Sequence, residues 1–396
     1  MHVPGGIMKN IIKPSVALAL LFCSLFTAAQ TQQITERAYP EGYITGVVTS
    51  AAGPEAGVWV IAETKETNTP FVKIVVTDDE GRPSNFWGMD HIWGVENPSD
   101  PHNPMMDSLG RVWMTSKIRN DQPVWCGEGS DNKFAQYFPL TRSGRQASVY
   151  DPETQQFELI DTCFATHHLQ FANNPERTLY FNELSGPMFG WVDTRTWDLT
   201  HDEQASQGWC PQIIDTNGDG VITKPWNASG GENPNPDLDT EVSFRLYSVI
   251  PDPRDGDVVW GASESYPGHI VRLDRGDSPP ETCISEVYHV AEGGLDPRGI
   301  DIDSNGVVWA AMAASSHFAR FDRTQCDVLN GPGTDAGTHC EQGWTLFKTD
   351  GPTYPGTDIP SDFHYFGWVD QHNISGLGKD TPIITGSNSK SDPLAY

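Results

Sequence analysis

Residues 299–312 read GIDIDSNGVVWAAM: an apolar strand, a tight Asp/Asn/Gly turn, then a second apolar strand that carries Trp309. Asn-Gly between apolar runs is a strong β-hairpin signal. Three more segments repeat this phrase, with Trp113, Tyr180 or Trp260 at the equivalent place. They read NPMMDSLGRVWMTS at 103–116, LQFANNPERTLYFNE at 169–183 and SVIPDPRDGDVVWGAS at 248–263. A hairpin that repeats without intervening helices is typical of a β-propeller.

Each hairpin is followed by a segment whose sequence fits the outer strands of a blade. These stretches are SVYDPETQQFELID at 148–161, GWVDTRTWDLT at 190–200, GHIVRLDRGDSPP at 268–280 and SHFARFDRTQC at 316–326. A fifth inner hairpin is predicted at 365–385. The sequence therefore predicts an all-β fold, with a propeller of about five recognisable blades over 87–396. Few residues follow the fifth hairpin. This favours the interpretation that the chain is a piece of a longer reading frame over the interpretation that the ring has few, irregular blades.

Residues 43–82 form another β-rich segment, ahead of the propeller. Alternation in ITGVV, GVWVIAE and VKIVVTD, divided by Gly/Pro turns, predicts about three strands. The segment resembles the carboxypeptidase regulatory-like domain, a small β-sandwich with the pattern G-x-V, G-V-x-V and V-T-D-x-x-G. After Gly81 and Arg82 the family pattern stops. We therefore expect a partial β-sandwich at 41–85.

The N-terminus has the features of an export signal. Lys9 and Lys13 precede the apolar run SVALALLFCSLFTAA, which ends in small residues, so 1–29 is predicted to be a signal peptide. Cys23 follows Phe22 rather than a small residue, so no lipid anchor is expected. The protein is predicted to be periplasmic or secreted. A formal charge of −28 argues against nucleic acids and anionic membranes as partners.

The cysteines support the same compartment. Seven are present, and six remain when the signal peptide is removed. An even number in an exported chain favours disulfides, and Cys326 with Cys340 is the pair expected first. The sequence contains no C-x-x-C or C-x-x-C-H motif, so it indicates neither a redox dithiol nor a covalent haem.

The phrases RGIDIDSNGVVWAA and QFANNPERTLYFNE are similar to the repeat of streptogramin B lyase-like propellers, G-I-x-x-D-x-x-G-x-L-W-F-T-E. The resemblance covers most of 100–390. It implies a lyase in which a His and a Glu near the channel, with Mg²⁺, open a cyclic ester by elimination. Glu183 matches the Glu of the repeat, whereas Ser116, Ser263 and Met312 stand at the equivalent positions. No residue can be matched to the family's His.

Counting back eleven to thirteen residues from each turn aromatic gives one position at the start of each inner strand. It holds His102, His168, Tyr247 and Arg298. If the blades superpose, these side chains converge at one channel mouth. There they would suit an anionic or polyhydroxylated ligand, with a His as general base and Arg298 binding a carboxylate or oxyanion. Alternatively, they cap neighbouring loops. Because adjacent strand residues face opposite ways, only one of His167 and His168 is expected there.

The fifth blade offers two further imidazoles. His364 is a candidate ligand-binding residue at the same mouth, and His372 is a weaker one. A histidine cluster could also bind a transition metal, but the spacing of these residues is not diagnostic of one.

The segment DTNGDGVIT at 215–223 follows the start of a calcium loop, D-x-N-x-D-G. The predicted ligands are Asp215, Asn217, Asp219 and the backbone carbonyl of Val221. Trp226 stands where such a loop has its bidentate Glu, so a later acid must complete the Ca²⁺ shell. The candidates are Glu232, Asp237, Asp239 and Glu241. The site would pin a long loop; a plain Asx/Gly turn is the alternative.

Three classes of function stay open at this point. The first is a lyase or hydrolase of small polar or cyclic esters, with His168 or His102 as base and Glu183 or Arg298 assisting. The second is a non-catalytic carbohydrate-binding module that uses some of the 13 Trp, although the Trp of the repeat are expected in the blade core. The third is a scaffold or electron-transfer partner, since the chain resembles exported proteins that carry a haem segment between two such β domains.

Overall fold

The computed structural model describes residues 47–54, 58–63, 72–77, 83–84, 101–117, 119, 122–183, 186–242, 244–359, 361, 363–386 and 391–396. The chain divides into two units, 1–46 and Val47–Tyr396. The described residues all belong to the second unit. The predicted signal peptide at 1–29 lies outside them, as does part of the predicted sandwich at 41–85.

Two small sheets occupy the start of the described chain. A hairpin pairs β1 (Thr49–Ser50) with β2 (Gly53–Pro54). A three-stranded antiparallel sheet then contains β3 (Trp59–Glu63), β4 (Val72–Thr77) and β5 (Pro83–Ser84). The strands predicted from GVWVIAE and VKIVVTD are thus present, and their assignment to a partial regulatory-like domain stays a prediction.

Five sheets follow in chain order and form blades 1 to 5. Blade 1 contains β6 (His102–Met106), β7 (Val112–Ser116), β8 (Gln146–Asp151) and β9 (Gln156–Ile160). Blade 2 contains β10 (Leu169–Phe171), β11 (Thr178–Asn182), β12 (Met188–Asp193) and β13 (Gln207–Pro211). Both sheets are antiparallel meanders.

Blade 3 has six strands. They are β14 (Ile213–Ile214), β15 (Thr240–Glu241), β16 (Ile250–Asp252), β17 (Asp255–Ala262), β18 (His269–Asp274) and β19 (Ile284–His289). Strands β16 to β19 form the usual meander. Strand β14 adds to β19 in parallel, and β15 pairs with β14.

Blades 4 and 5 complete the described propeller. Blade 4 contains β20 (Pro297–Ile302), β21 (Val308–Met312), β22 (His317–Phe321) and β23 (Trp344–Lys348). Blade 5 contains β24 (Gly367–Asp370), β25 (Thr381–Gly386) and β26 (Ser391–Ala395). All five predicted inner hairpins are present, so the prediction of an all-β propeller is confirmed.

The helices are short and lie in the connections. The α-helices are α1 (Lys133–Tyr137), α2 (Thr194–Thr200) and α3 (Glu203–Ser206). The 3₁₀ turns are Val124–Cys126, Arg323–Gln325 and Thr338–Gly343. In the part of the chain that the structure describes, no helix is long and apolar enough to cross a membrane.

The repeated aromatic residue packs in the blade core. Trp113, Tyr180, Trp260 and Trp309 are all buried on the second strand of their blades. Three of them reach the next blade. Trp113 meets the ring of Phe171 edge-on, Tyr180 donates a hydrogen bond to the backbone carbonyl of Gly256 at 2.9 Å, and Trp260 packs edge-on against Phe321. Three of the four copies of the phrase therefore join neighbouring blades, and all four aromatic residues belong to the blade core.

Three disulfides link the connections, as the even cysteine count predicted. The pairs are Cys126–Cys163, Cys210–Cys283 and Cys326–Cys340, and the last is the pair expected first. Cys210 lies in β13 and Cys283 precedes β19, so one bond joins blade 2 to blade 3. Three disulfides are typical of a protein from an oxidising compartment.

The inner strands of the five blades are neighbours in chain order, β6, β10, β16, β20 and β24. Two cavities of about 260 Å³ lie along them. One is lined by residues near the strand starts, among them His168, Ser248 and Phe366. The other is lined by residues near the strand ends, among them Asp301 and Trp368. We refer to these as the start cavity and the end cavity.

Candidate functional site

The structure brings the four equivalent strand-start residues together beside the start cavity, which His168 lines. The imidazole centroids of His102 and His168 are 5.4 Å apart, and the ring of His168 lies 4.8 Å from that of Tyr247. The guanidinium of Arg298 lies 5.0 Å from the Tyr247 ring. A continuous set of contacts thus joins four neighbouring blades. We call these four residues the polar ring; their roles stay predictions.

His167 also joins the ring, and the expectation that only one of the two adjacent histidines would do so was wrong. Its imidazole lies 4.1 Å from that of His168, 4.6 Å from that of His102 and 5.3 Å from the ring of Tyr247. The reason is local backbone structure. His168 forms a bend before β10 and His167 precedes it outside any strand, so the alternation of side chains along a pleated strand does not apply to them.

Asn182, the last residue of β11, holds this bend in place. Its Oδ1 accepts a hydrogen bond from the backbone N–H of His168 at 2.7 Å, and its Nδ2 donates to the carbonyl of Leu246 at 2.8 Å. The same Nδ2 lies 3.5 Å from Nδ1 of His167. Asn182 is fully buried. Sequence reasoning missed it, because nothing in the repeat distinguishes this amide from its polar neighbours.

Burial keeps the adjacent histidines uncharged. Loss of hydration lowers the pKa of His168 to about 2 and that of His167 to about 4, and the neighbouring imidazoles add to both shifts. A hydrogen bond to the Tyr247 backbone opposes the shift in each case. Both imidazoles are therefore neutral at pH 7. A lone pair is available on each, but so low a pKa makes a weak proton acceptor.

Arg298 is a fixed positive charge at the edge of the ring. It forms ion pairs with Asp296 at 2.9 Å and Glu264 at 2.8 Å, and it donates to the Tyr365 hydroxyl at 3.3 Å. Burial alone would lower the pKa of Arg298, but hydrogen bonding to Asp296 and the two carboxylate charges raise it. These contacts use three of the five guanidinium N–H groups. The others remain for a ligand.

Blade 5 contributes a phenol to the ring rather than an imidazole. The hydroxyls of Tyr365 and Tyr247 hydrogen-bond to each other, and burial raises the pKa of Tyr247. His364 is fully buried, with Nδ1 3.0 Å from the Thr385 carbonyl and Nε2 3.0 Å from the Thr349 hydroxyl. Because both nitrogens are engaged, the ligand-binding role predicted for His364 does not fit its placement.

Two further candidates of the channel are His372 and Glu183. His372 lines the end cavity instead of the start cavity. Glu183 directly follows β11 and is buried, with its carboxylate against Gly186. Its catalytic role stays a prediction that rests on the repeat.

The predicted calcium loop folds around one carboxylate. Asp215 accepts hydrogen bonds from the backbone N–H groups of Gly218 at 2.7 Å, Asp219 at 3.1 Å and Gly220 at 2.9 Å. Gly220 has a φ of +79°, which is the sharp turn that the motif predicts. Asn217 binds the backbone N–H of Asp219 through its side-chain oxygen at 2.9 Å.

Asp239 best fits the acid that would complete this loop. It is fully buried, and its Oδ2 accepts from the backbone N–H of Thr223 at 3.0 Å. Burial raises the pKa of Asp239, and the charges of Asp215 and Asp219 add to the effect. A hard cation would relieve this repulsion, since carboxylate oxygens are its preferred ligands. Ca²⁺ at this loop stays a proposal, as does the backbone carbonyl of Val221 as a ligand.

Comparisons with known proteins do not show a family for this chain. No protein-family model and no curated protein matches the chain. Among solved structures, virginiamycin B lyase from Staphylococcus aureus is similar, with 11% identity and a TM-score of 0.39, over 75% of this chain and 70% of the lyase. A periplasmic gluconolactonase from Pseudomonas aeruginosa has 9% identity and a TM-score of 0.38, over 85% of this chain and 78% of the lactonase. Similarity at this level carries no activity to this chain.

Proposed function

We propose that this protein is an exported β-propeller enzyme, a lyase or hydrolase that acts on a small polar or cyclic ester. The observation that carries the proposal is the mutual contact of His102, His168, Tyr247 and Arg298, beside a cavity that His168 lines. Strand caps that bond only to their own loops would not bring polar side chains from four blades into contact, so this convergence supports a ligand site.

The ring residues divide the work of an elimination in the following way. The imidazole of His102 or His168 takes a proton from the carbon next to the one that bears the ester oxygen. The C–H electron pair forms a C=C bond, and the C–O bond breaks to leave a carboxylate. Arg298 stabilises this carboxylate with its remaining N–H groups. Negative charge on the bound substrate would raise the low pKa of the imidazoles and make them better bases.

The metal implied by the lyase resemblance does not fit the ring. Mg²⁺ prefers oxygen ligands in octahedral geometry, whereas the side chains that meet here offer imidazole nitrogens. The acids nearest to Arg298, Asp296 and Glu264, already neutralise that guanidinium. We therefore assign no step of the reaction to Mg²⁺.

Export and the choice of ligand belong to the same proposal. Three disulfides support a periplasmic or secreted location. The charge of −28 favours a small-molecule or carbohydrate ligand over nucleic acid, and no stable membrane anchor is proposed. The start cavity, at about 260 Å³, suits a small substrate or one end of a larger one.

Turnover of a panel of esters, lactones and glycan esters tests the proposal. His168→Ala and Arg298→Ala should each lower kcat/KM by at least about 100-fold, because one removes a proton acceptor and the other removes the charge that stabilises the product. His201→Ala is the matched control, since that imidazole is largely exposed at the end of α2. Equal activity in all three variants would exclude the ring as the reaction site. Binding without product would favour the non-catalytic module.

A further inference from the structure

We propose that His102, His167 and His168 bind one divalent transition-metal ion, with Zn²⁺ as the best-fitting species. One ligand nitrogen from each imidazole can be chosen so that all three lie within 4.8 Å of one another. Neutral imidazole is a preferred ligand of Zn²⁺, Cu²⁺, Ni²⁺ and Co²⁺, and three histidines form a known class of catalytic zinc site.

The spacing is close to that of a metal-bound triad. With N–Zn bonds of about 2.0–2.1 Å, tetrahedral ligand nitrogens lie about 3.4 Å apart. The imidazole planes are within 22° of parallel, so rotation of the rings would be needed to point three lone pairs at one ion. This adjustment involves side-chain torsions, and the backbone of β6 and of the bend can stay in place.

The surroundings of the triad resemble the outer shell of a metal site. Histidines that bind metals usually donate their second ring N–H to a backbone carbonyl or a carboxylate, which fixes the ring and its tautomer. The backbone of Tyr247 hydrogen-bonds to both His167 and His168. Asn182 fixes the backbone of His168 and lies beside Nδ1 of His167. Two of the three rings are therefore oriented from outside the triad.

The charges around the triad permit a cation. Arg245 would repel it, but this guanidinium pairs with Glu264 at 2.7 Å. Glu264 also pairs with Arg298 at 2.8 Å, where Asp296 supplies a second negative charge. Arg145 adds a positive charge that the nitrogen ligands must overcome.

An ion held by three nitrogens keeps a position for a further ligand. In catalytic zinc sites, water or substrate occupies this position. Here His168 lines the start cavity, so a ligand in that cavity could reach the ion. The triad also differs in chemistry from the loop at Asp215, whose oxygen atoms suit a hard cation.

Cobalt titration of the full chain, after treatment with a chelator, tests the proposal. Co²⁺ should bind with one-to-one stoichiometry and give the visible absorption of a nitrogen-ligated ion, and Zn²⁺ should displace it. His102→Gln, His167→Gln and His168→Gln should each weaken binding by more than about 100-fold, since loss of an outer-shell partner alone costs about 10–100-fold. His201→Gln and Asp215→Asn should bind as the unmodified chain does.

Absence of visible Co²⁺ bands, or equal affinity in the triad variants and in His201→Gln, would overturn the proposal. Near-ultraviolet circular dichroism checks that each variant is folded. If a triad variant fails this check, Asn182→Ser replaces it, with an expected loss of about 10–100-fold; unchanged affinity there counts against the site. The cobalt titration uses no substrate, so it tests the metal site even if the protein proves to be inactive. Because an imidazole nitrogen that binds a metal cannot also accept a proton, ester turnover that survives chelation would keep His102 or His168 as the base and exclude the metal from the reaction.

Discussion

The two cavities along the inner strands have the same volume but opposite chemistry. At the start cavity, imidazoles, phenols and a guanidinium contact one another through their side chains. At the end cavity, carboxylates bind the backbone of nearby turns. Asp370, for example, accepts from the N–H groups of Ile374 at 2.8 Å and Ser375 at 2.7 Å.

This difference separates side chains that build the fold from those available to a ligand. A carboxylate whose oxygens accept backbone N–H groups satisfies donors that would otherwise be buried and unpaired. The side chains of the start cavity gain less for the fold, because they pair with each other rather than with a turn. Changes at the start cavity should therefore affect activity as well as stability, whereas changes at the end cavity should affect stability alone.

Arg298 and Arg254 each pair with a buried aspartate, and their variants should show the largest difference in unfolding free energy and turnover. Arg298→Gln removes a charge that is 17% exposed and leaves Asp296 unpaired, so we expect a loss of about 3–5 kcal/mol in unfolding free energy together with loss of turnover. Arg254→Gln removes a half-exposed charge from Asp252, so the loss should be at most about 1 kcal/mol with turnover intact. Urea unfolding and ester assays measure both. Loss of turnover in Arg254→Gln alone would reverse the assignment of the two ends.

Asp301, which lines the end cavity, should make the stability of the folded protein depend on pH. Burial raises its pKa to about 6, although backbone N–H groups of Val369 and Ile302 oppose the shift. The folded state then binds this proton more tightly than the unfolded chain does. The stabilisation is full below the unfolded pKa near 4 and is lost as the pH rises through 6, by up to about 3 kcal/mol. Thermal melts from pH 4 to pH 7 should show this slope, and Asp301→Asn should flatten it. An unchanged slope would assign it to other groups.

Two side-chain amides test the same comparison, with losses of unfolding free energy of intermediate size. Asn182→Ala leaves the Leu246 carbonyl and the His168 N–H without their partner, so we expect a loss of about 2 kcal/mol. Gln371→Ala removes one hydrogen bond to the Ile302 carbonyl at 2.8 Å from a half-buried side chain, so the loss should be about 1 kcal/mol or less. Only Asn182→Ala should also lower turnover. Chemical denaturation of both variants tests the ranking, and the reverse order would contradict it.

The loop at Asp215 lies outside both cavities and should give the smallest effect. Ca²⁺ at ten times its dissociation constant should stabilise the folded chain by about 1.4 kcal/mol. The melting temperature should rise by a few degrees, and Asp215→Asn should abolish the rise because it removes the central ligand. If the chelated protein shows no gain in melting temperature with Ca²⁺, the segment is a plain Asx turn.

The sequence could predict what is local, and it predicted the fold well for that reason. The repeated strand–turn–strand pattern predicted all five inner hairpins. The four residues of the polar ring were predicted from their distance in sequence to the turn aromatic of each hairpin. His167 was missed because the backbone bends before β10 instead of following a pleated strand. Tyr365 was missed because blade 5 lacks the turn aromatic from which the strand-start positions of the other blades were counted. His364 was chosen by residue type, but its nitrogens bind Thr385 and Thr349. These outcomes depend on tertiary contacts, which a single repeat does not contain.

The two strands that extend blade 3 have a consequence for association between copies of the chain. A bare blade would end at β19, six residues long, and present a row of unpaired backbone groups. Strands β14 and β15, each of two residues, cover part of that edge. The outermost strand, β15, offers only two residues for pairing. The inserted segment that carries the Asp215 loop thus shortens the strand edge that blade 3 presents to other molecules.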